Sequence, residues 1–116
     1  MIQDAIINSY LEIPYKENGT DRNGIDCWNF TKLFYKEILG IKLQEAEIEN
    51  WDRVSEPQEF DVIVFKNEKG IMYHTGIFLG NGQFIQCIKA GVVKSNVKEK
   101  FWKDKIEGFF RYKNVN

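Results

Sequence analysis

The sequence holds a single histidine, His74, and two cysteines, Cys27 and Cys87. A thiol beside an imidazole forms a nucleophile with its general base, an arrangement that suits acyl transfer. Taken alone, each side chain has a simpler interpretation, because a cysteine is often a small buried residue and a strand histidine is often a hydrogen-bonded core residue. The chemistry therefore depends on whether the fold brings Cys27 and His74 together.

Cys27 is predicted to begin a helix. The apolar residues at helical spacing after it are Phe30, Leu33, Phe34, Ile38 and Ile41. Asp26 is a suitable N-cap for this helix, and Gly40 is a suitable stop. Free N–H groups at a helix start favour a thiolate, but the Asp26 carboxylate opposes that charge, so the base must supply much of the activation.

His74 lies in a predicted strand over residues 71–79, and the Gly80-Asn81-Gly82 segment after it is typical of a hairpin loop. The return strand is predicted over residues 84–88. A three-residue loop with its last glycine in the left-handed conformation sets the register between the two strands. The predicted pairs are Leu79 with Gln83 and Gly76 with Gln86.

This register places Gln86 diagonally beside His74 on one face of the sheet, since side chains alternate along a strand. The glutamine carbonyl could then accept the imidazole N–H and fix its tautomer. Gly76 leaves space between the two side chains. A register shifted by one residue would turn Gln86 to the opposite face, so the prediction is geometrically demanding. Cys87 is predicted to face the other side of the strand and to lie in the core.

The remaining elements follow the order helices first and strands second, which is typical of an α+β fold with an antiparallel sheet. Residues 2–11 have helical periodicity, and Pro14 opens a loop that extends to residue 25. Residues 42–59 are polar, with Trp51 and Val54 as anchors and room for a short helix. Further strands are predicted at residues 62–65, 92–93 and 108–112.

Composition indicates one domain over residues 1–116 that builds its core without disulfides or metals. Hydrophobic residues make up 43% and aromatic residues 15% of the 116 positions. Two cysteines are too few for a disulfide framework. No zinc site is expected from Cys27, His74 and Cys87, because their side chains are predicted to lie on opposing faces and there is no C-x-x-C pair. No metal or other cofactor is predicted.

Charge and hydropathy exclude some classes of partner. The formal net charge is -1, from 16 basic and 17 acidic residues, without the basic excess that is typical of nucleic-acid binders. A mixed-charge stretch near residues 94–105 is interpreted as a solvated face. No apolar run approaches ~18 residues and no signal-peptide pattern is visible. We therefore predict no membrane span and expect the chain to be cytoplasmic as synthesised.

Several segments, in order along nearly the whole chain, together resemble the NlpC family of papain-like cysteine peptidases. They are residues 14–15, 24–30, 57–65, 73–82 and 84–86. The resemblance implies a papain-like fold with N-terminal helices packed on a small antiparallel sheet. It also implies that Cys27 is the nucleophile, His74 the base and Gln86 the third member of a catalytic triad.

The resemblance further implies an activity and a substrate. The family contains cysteine endopeptidases that act on bacterial cell-wall peptides, and the usual scissile bond follows γ-linked D-glutamate. Tyr15 and Asp26 would line the substrate groove, with Asp26 holding the free amine of a peptidoglycan stem peptide. The Cys27 backbone N–H, helped by Tyr15, would form the oxyanion hole.

The Trp28-Asn29 pair departs from the family pattern, which usually has serine and glycine after the cysteine. The Trp28 indole would either reshape the substrate-binding pocket or simply pack in the core. A tryptophan here is similar to the phage tail-assembly branch, which implies a phage tail or another protein as partner and a place in the phage particle or at the cell wall. Two alternatives to the peptidase stay open: an amidase or acyltransferase on the same fold, and a catalytically silent assembly protein.

Overall fold

The computed structural model describes residues 2–44 and 48–113, apart from the side chains of residues 2 and 48. Its α-helices are α1 (Ile2–Ser9), α2 (Cys27–Phe34) and α3 (Lys100–Lys103), and 3-10 turns occupy Tyr10–Glu12 and Ile48–Asn50. Its strands are β1 (Thr20–Asp21), β2 (Gly24–Ile25), β3 (Trp51–Val54), β4 (Val62–Lys66), β5 (Met72–Gly80), β6 (Gln83–Ile88), β7 (Gly91–Asn96) and β8 (Ile106–Tyr112).

Within the described part of the chain, six strands form the main sheet in the order β3-β8-β4-β5-β6-β7, and every neighbouring pair is antiparallel. The short strands β1 and β2 form a separate hairpin that contacts α2. Because α2 precedes the main sheet in the chain and packs on β5 and β6, the predicted α+β fold is confirmed. None of the helices in the described residues is long and apolar enough to span a membrane.

One helix and three strands among the described residues were not expected from the sequence. Strand β3 forms within the polar segment 42–59, because it extends the sheet beside β8. The β1–β2 hairpin forms within the predicted loop, and α3 forms in the mixed-charge stretch, where Trp102 packs against the sheet. Residues 45–47, part of the segment with room for a short helix, lie outside the described residues, and Ile48–Asn50 form a 3-10 turn.

Helix α2 begins at the predicted residue, Cys27. Asp26 caps it, since its Oδ1 accepts a hydrogen bond from the Asn29 backbone N–H at 2.8 Å. Beyond Phe34 the helix continues as one π-helical segment and ends at Gly40, whose φ is 68°. The buried residues of α2 are Phe30, Thr31 and Phe34. This buried face docks the helix and so sets the position of Cys27 at its first turn.

The β5–β6 hairpin has the predicted register where Gly76 pairs with Gln86. Near the loop the prediction is wrong, because Gln83 pairs with Gly80 instead of Leu79. The loop residues with left-handed φ are Gly80 (102°), Asn81 (52°) and Gly82 (78°). These angles tighten the loop, and a bulge in β5 absorbs the extra residue, which restores the register further along the strands.

Each face of the main sheet carries its own apolar cluster. The face towards α2 includes the fully buried Ile77. On the opposite face, Phe65 and Phe84 pack with Trp102 of α3 at ring-centroid distances of 5.4 and 6.1 Å. Because His74 is the cross-strand neighbour of Phe65, its side chain lies on this second face, which α3 covers.

A partly buried ion pair fixes the segment that leads into β4. Asp61 is 3% exposed, and Arg111 of β8 binds both of its carboxylate oxygens, at 3.0 Å through Nε and at 2.8 Å through Nη2. The Gln58 backbone N–H also donates to this carboxylate, at 2.7 Å. The ion pair holds the start of β4 against β8, and both strands contribute side chains to the cleft beside Cys27.

Candidate active site

His74 and Gln86 form a buried pair on the face of the sheet that α3 covers. The imidazole Nε2 lies 2.7 Å from Gln86 Oε1, and the two residues are 9% and 0% exposed. The predicted hydrogen bond is therefore confirmed. A Cβ at Gly76 would lie 2.9 Å from the Phe84 ring, so the space that glycine leaves is needed for the packing beside this pair.

Ser95 of β7 fixes the orientation of the Gln86 amide. Gln86 Nε2 donates to Ser95 Oγ at 3.0 Å, which turns Oε1 towards His74. An amide carbonyl accepts hydrogen bonds and cannot donate them, so the network assigns the imidazole proton to Nε2 of His74. The lone pair that a general base needs then lies on Nδ1.

Aromatic rings enclose the His74 imidazole. Its centroid lies 5.3 Å from that of Phe65 and 6.0 Å from that of Trp102, which stacks on it with an interplanar angle of 29°. Burial lowers the pKa of His74 below its ordinary value of 6.5, and the hydrogen bond to Gln86 opposes this shift. The imidazole is therefore neutral at neutral pH and able to act as a base.

Cys27 is half-buried at the first turn of α2. Burial raises the pKa of its thiol above the ordinary value of 9.0, and the negative charge of Asp26 raises it further. Hydrogen bonds from the backbone N–H groups of Thr75 and Trp28, and from the Thr75 hydroxyl, lower the pKa and offset part of this rise. The net shift opposes the thiolate that a helix N-terminus alone would favour, so activation of the thiol depends on His74.

Two threonines attach the start of α2 to β5. The Thr31 hydroxyl donates to the Cys27 carbonyl at 3.1 Å. The Thr75 hydroxyl lies 3.1 Å from the Thr31 hydroxyl and 3.4 Å from the same carbonyl. Because Thr75 follows His74 in β5, one strand carries both the imidazole and the anchor of the Cys27 backbone. Neither threonine can be identified from the sequence, since their contact exists only once α2 is docked.

Cys27 and His74 line two cavities, which also share Trp28 and Tyr73. One cavity, of about 450 Å³, is named here the polar arm, and its further lining residues include Tyr15, Glu17, Asn18, Asp26 and Lys89. The other, of about 390 Å³, is the apolar arm, and it is further lined by Trp51, Val62, Val64, Met72, Thr75 and Phe110. A thiol and a neutral imidazole thus lie where two cavities of different chemistry meet.

Comparison with known proteins identifies the family. The NlpC/P60 family model matches residues 12–111. The chain belongs to the NlpC/P60 family. It is 32% identical to the gamma-DL-glutamyl hydrolase of Bacillus subtilis (strain 168), in an alignment that covers 99% of this chain and 29% of that protein. The chain spans 55% and 58% of the length of two further curated relatives, so it corresponds to less than two thirds of each of these proteins.

Solved NlpC/P60 structures have the same fold. A family member from Bacillus cereus ATCC 10987 matches with a TM-score of 0.81 and 27% identity, over 97% of this chain and 40% of that one. The NlpC/p60 domain of the peptidoglycan hydrolase SagA matches with a TM-score of 0.71 and 25% identity, over 94% of this chain and 95% of that one. The predicted NlpC-type fold is confirmed.

Tyr15 and Asp26, predicted to bind substrate in this NlpC/P60 chain, both line the polar arm. Tyr15 is held there by a parallel bridge to Ile25 of β2, just before the Asp26 cap of α2. Desolvation raises the pKa of Tyr15, and the acidic groups of Glu17 and Asp26 raise it further, so the phenol keeps its proton and can donate a hydrogen bond. The substrate-binding roles of both residues stay predictions.

Asn29 holds both oxygens of the Asp26 carboxylate. Its backbone N–H donates to Oδ1 at 2.8 Å, and its side-chain amide donates to Oδ2 at 3.3 Å. The glycine that NlpC-type sequences usually have here could make only the first of these bonds. The Asp26 backbone N–H donates to the Gly19 carbonyl at 3.2 Å, so the two residues do not form a reciprocal capping box, and the sequence gives no separate signal for the amide contact.

Trp28 both packs in the core and lines the cleft. Its ring contacts the main apolar cluster and belongs to the walls of both arms. The indole Nε1 is buried and has no hydrogen-bond partner among the described residues. The packing interpretation is therefore confirmed, and the roles of the indole in shaping the substrate-binding pocket and in binding substrate stay predictions.

The structure brings the predicted site residues of this NlpC/P60 chain together. Those that line the polar arm are Tyr15, Asp26, Cys27, Trp28 and His74. Gln86 lies behind the imidazole, and Cys87 is the buried core residue predicted, with its thiol donating to the Ile25 carbonyl at 3.2 Å. Among the described residues, no group of His, Cys, Asp and Glu side chains is arranged to hold a metal ion.

Proposed function

We propose that this chain is a cysteine endopeptidase that hydrolyses peptidoglycan stem peptides next to γ-linked D-glutamate. One observation carries the proposal: a buried imidazole, hydrogen-bonded through Nε2 to Gln86, lines the same cleft as the Cys27 thiol. A nucleophile, a base with a free lone pair and a group that fixes the tautomer are the components of thiol-dependent acyl transfer.

In the proposed mechanism, Nδ1 of His74 takes the proton from the Cys27 thiol as the sulfur attacks the carbonyl carbon of the scissile amide. The backbone N–H at the start of α2 and the Tyr15 hydroxyl stabilise the oxyanion that forms. Collapse of this intermediate breaks the C–N bond, and the imidazolium gives its proton to the leaving amine. Water, deprotonated by His74, then hydrolyses the thioester on Cys27 and restores the thiol.

Support for the substrate comes from the relatives and from the charges of the polar arm. One relative is named a gamma-DL-glutamyl hydrolase, and one structural neighbour is a domain of a peptidoglycan hydrolase. Among the described residues that line the polar arm, the carboxylates of Glu17 and Asp26 stand against the ammonium group of Lys89, a balance that suits the free amine of a stem peptide. The bacterial cell wall is then the proposed place of action, and a phage tail partner stays a prediction.

Digestion of purified peptidoglycan, followed by mass analysis of the fragments, tests the proposal. The unaltered protein should release fragments that end in γ-D-glutamate, and Cys27→Ala should release none. Cleavage of the amide between sugar and peptide would instead support the amidase alternative. Absence of any fragment, together with equal labelling of both cysteines by a thiol-directed probe, would favour the silent assembly protein.

A further inference from the structure

Lys89 carries the one ammonium or guanidinium group among the described residues that line the polar arm. The carboxylates there are those of Glu17 and Asp26. Within the described ranges, 2–44 and 48–113, the exposed Lys89 side chain forms no ion pair. A cation at this place repels the free amine that the proposed function puts beside Asp26. The lysine therefore suits a ligand that carries an anion as well as an amine.

The backbone of Lys89 is held in place by the tight turn between β6 and β7. Because Ile88 pairs with Gly91, Lys89 lies in a two-residue turn. Gly91 has a left-handed φ of 107°, and a Cβ there would lie 3.1 Å from the Ile13 carbonyl oxygen. The Val92 backbone N–H donates to the same carbonyl at 3.1 Å. The turn is thereby attached to the segment that precedes the loop of the polar arm.

That loop carries Tyr15 and Glu17, and it is attached in turn to the start of α2. Tyr15 forms a parallel bridge with Ile25, the residue directly before Asp26. Three separate segments, which carry Glu17, Asp26 and Lys89, thus line one cavity of about 450 Å³. Their backbones are linked by hydrogen bonds, so the polar arm has charges of both signs on a preformed wall.

A γ-linked D-glutamyl residue supplies the anion that suits Lys89. Its γ-carboxyl group forms the scissile amide and its amino group is bonded to the preceding residue, so its α-carboxylate is free. The acyl part of a stem peptide with a free amine consequently carries one ammonium group and one carboxylate. The polar arm offers the carboxylates of Glu17 and Asp26 to the first group and the ammonium of Lys89 to the second.

We infer that Lys89 binds the free α-carboxylate of the γ-D-glutamyl residue and selects it against the α-amide of an isoglutaminyl residue. The inference rests on the proposed function and adds a specificity-determining residue to it. A hydrogen bond between an ammonium and a carboxylate is stronger than one between an ammonium and a neutral amide. The amide also has no charge to offset the repulsion between Lys89 and the amine of the substrate.

Two tripeptides that differ only in this group test the inference: L-alanyl-γ-D-glutamyl-L-lysine and its α-amide, L-alanyl-D-isoglutaminyl-L-lysine. The value of kcat/KM for the unaltered protein should be at least about tenfold higher for the carboxylate. This ratio should decrease as the salt concentration rises, because the ammonium group is exposed. An equal or higher value for the amide overturns the inference.

Lys89 and Lys94 provide a matched pair of variants in one hairpin. Lys94 of β7 is also exposed, but its Nζ donates to Asn8 at 2.9 Å and it is not among the residues that line the polar arm. Lys89→Gln should bring the ratio of the two kcat/KM values to within about twofold of one, and Lys89→Arg should keep most of it, because the charge remains. Lys94→Gln should leave the ratio unchanged. Equal losses in Lys89→Gln and Lys94→Gln would overturn the inference.

Binding to Cys27→Ala separates this inference from the proposed function. The Kd of the two tripeptides, measured by calorimetry, requires no turnover and should show the same preference, which the further change Lys89→Gln should remove. Tighter binding of the carboxylate without cleavage by the unaltered protein would contradict the peptidase and retain the role of Lys89. Cleavage of both tripeptides with equal kcat/KM and equal Kd values would retain the peptidase and overturn the role of Lys89.

Discussion

Cys27 and His74 line the same cleft, yet their surroundings differ in exposure and in hydrogen bonding. Cys27 is half-buried at the start of α2, where burial and the charge of Asp26 raise the pKa of its thiol. His74 is buried on β5, at the end of a hydrogen-bond chain that runs through Gln86 to Ser95. The helix side thus supplies the nucleophile and the sheet side activates it, so the effects of substitutions on turnover should decrease from the thiol outward along this chain.

Loss of the helix-side thiol should have the largest effect. Cys27→Ala should lower the kcat for a stem peptide by at least about four orders of magnitude, because the acyl-enzyme can no longer form. Cys87→Ala removes a thiol that is 1% exposed, and burial raises the pKa of that thiol to about 12. This control should keep its kcat, and iodoacetamide should label Cys27 before Cys87. Equal labelling rates in the native protein would contradict the assignment.

Loss of the imidazole on the sheet side should have the second-largest effect on turnover. His74→Ala should lower kcat to within about tenfold of the loss seen with Cys27→Ala, since nucleophile and base act as one unit. His74→Gln fills more of the buried space and cannot act as a base, so it should be equally inactive while unfolding closer to the temperature of the unaltered protein. Substantial turnover by a well-folded His74→Gln protein would show that another group is the base.

The pH dependence of kcat/KM tests whether the buried His74 acts as a neutral base. Activity requires neutral His74, whose pKa is lowered by burial, so kcat/KM should be retained at pH 6.5 and fall only as the pH drops through the lowered value. Gln86→Glu would place a carboxylate against the imidazole and should move this acid limb to higher pH, because an opposite charge favours the protonated ring. An acid limb above pH 6.5 in the unaltered protein would contradict a desolvated base.

Loss of the orienting amide should be milder. The loss of kcat in Gln86→Ala should be about two orders of magnitude smaller than the loss in Cys27→Ala, as is usual for the third member of a triad relative to its nucleophile. Gln86→Asn keeps an amide on a shorter side chain and serves as the matched variant, with an intermediate kcat expected. Full activity of Gln86→Ala would mean that the hydrogen bond to His74 has no part in turnover.

The smallest effect should come from Ser95, at the outer end of the chain. Ser95→Ala should lower kcat a few-fold, because the freed Gln86 amide can rotate and offer its NH₂ group to Nε2, which favours the tautomer with no lone pair on Nδ1. Ser95→Thr keeps the hydroxyl and should restore kcat. Since His74 is the only histidine, ¹⁵N NMR reports its tautomer directly. An unchanged tautomer in Ser95→Ala would contradict a positioning role.

The parts of the site that local rules specify were predictable. The apolar stripe and the Asp26 cap place the start of α2 at Cys27. Alternation of side chains and a glycine-rich loop place Gln86 beside His74, although the pair next to the loop was wrong. The predicted register is correct away from the loop because the tighter loop and the bulge in β5 shift the pairing by one residue in opposite directions.

The elements that pack against the site were harder to predict. Helix α3 has four residues, which are too few to show helical periodicity. Its lysines indicated a solvated face, although Trp102 among them points inward and stacks on His74. Strand β3 has no clear alternation of buried and exposed side chains. It forms because it pairs with β8, which is distant in the sequence. Ser95 and Thr75 have ordinary strand positions that signal no role until the neighbouring elements are in place.

The sequence by itself determined the helix that begins at Cys27 and the hairpin register that joins His74 to Gln86, because each depends on residues close together in the chain. It also determined the family resemblance, because that depends only on the order of short motifs along the chain. Only the tertiary structure decided the protonation of the two reactive groups, the link to Ser95 and the contrast between the two arms of the cleft. Desolvation is a property of the packed surroundings of a group. The walls of a cavity come from strands that are distant in sequence. Neither the desolvation of the reactive groups nor the chemistry of the cleft walls could therefore be derived from local sequence patterns.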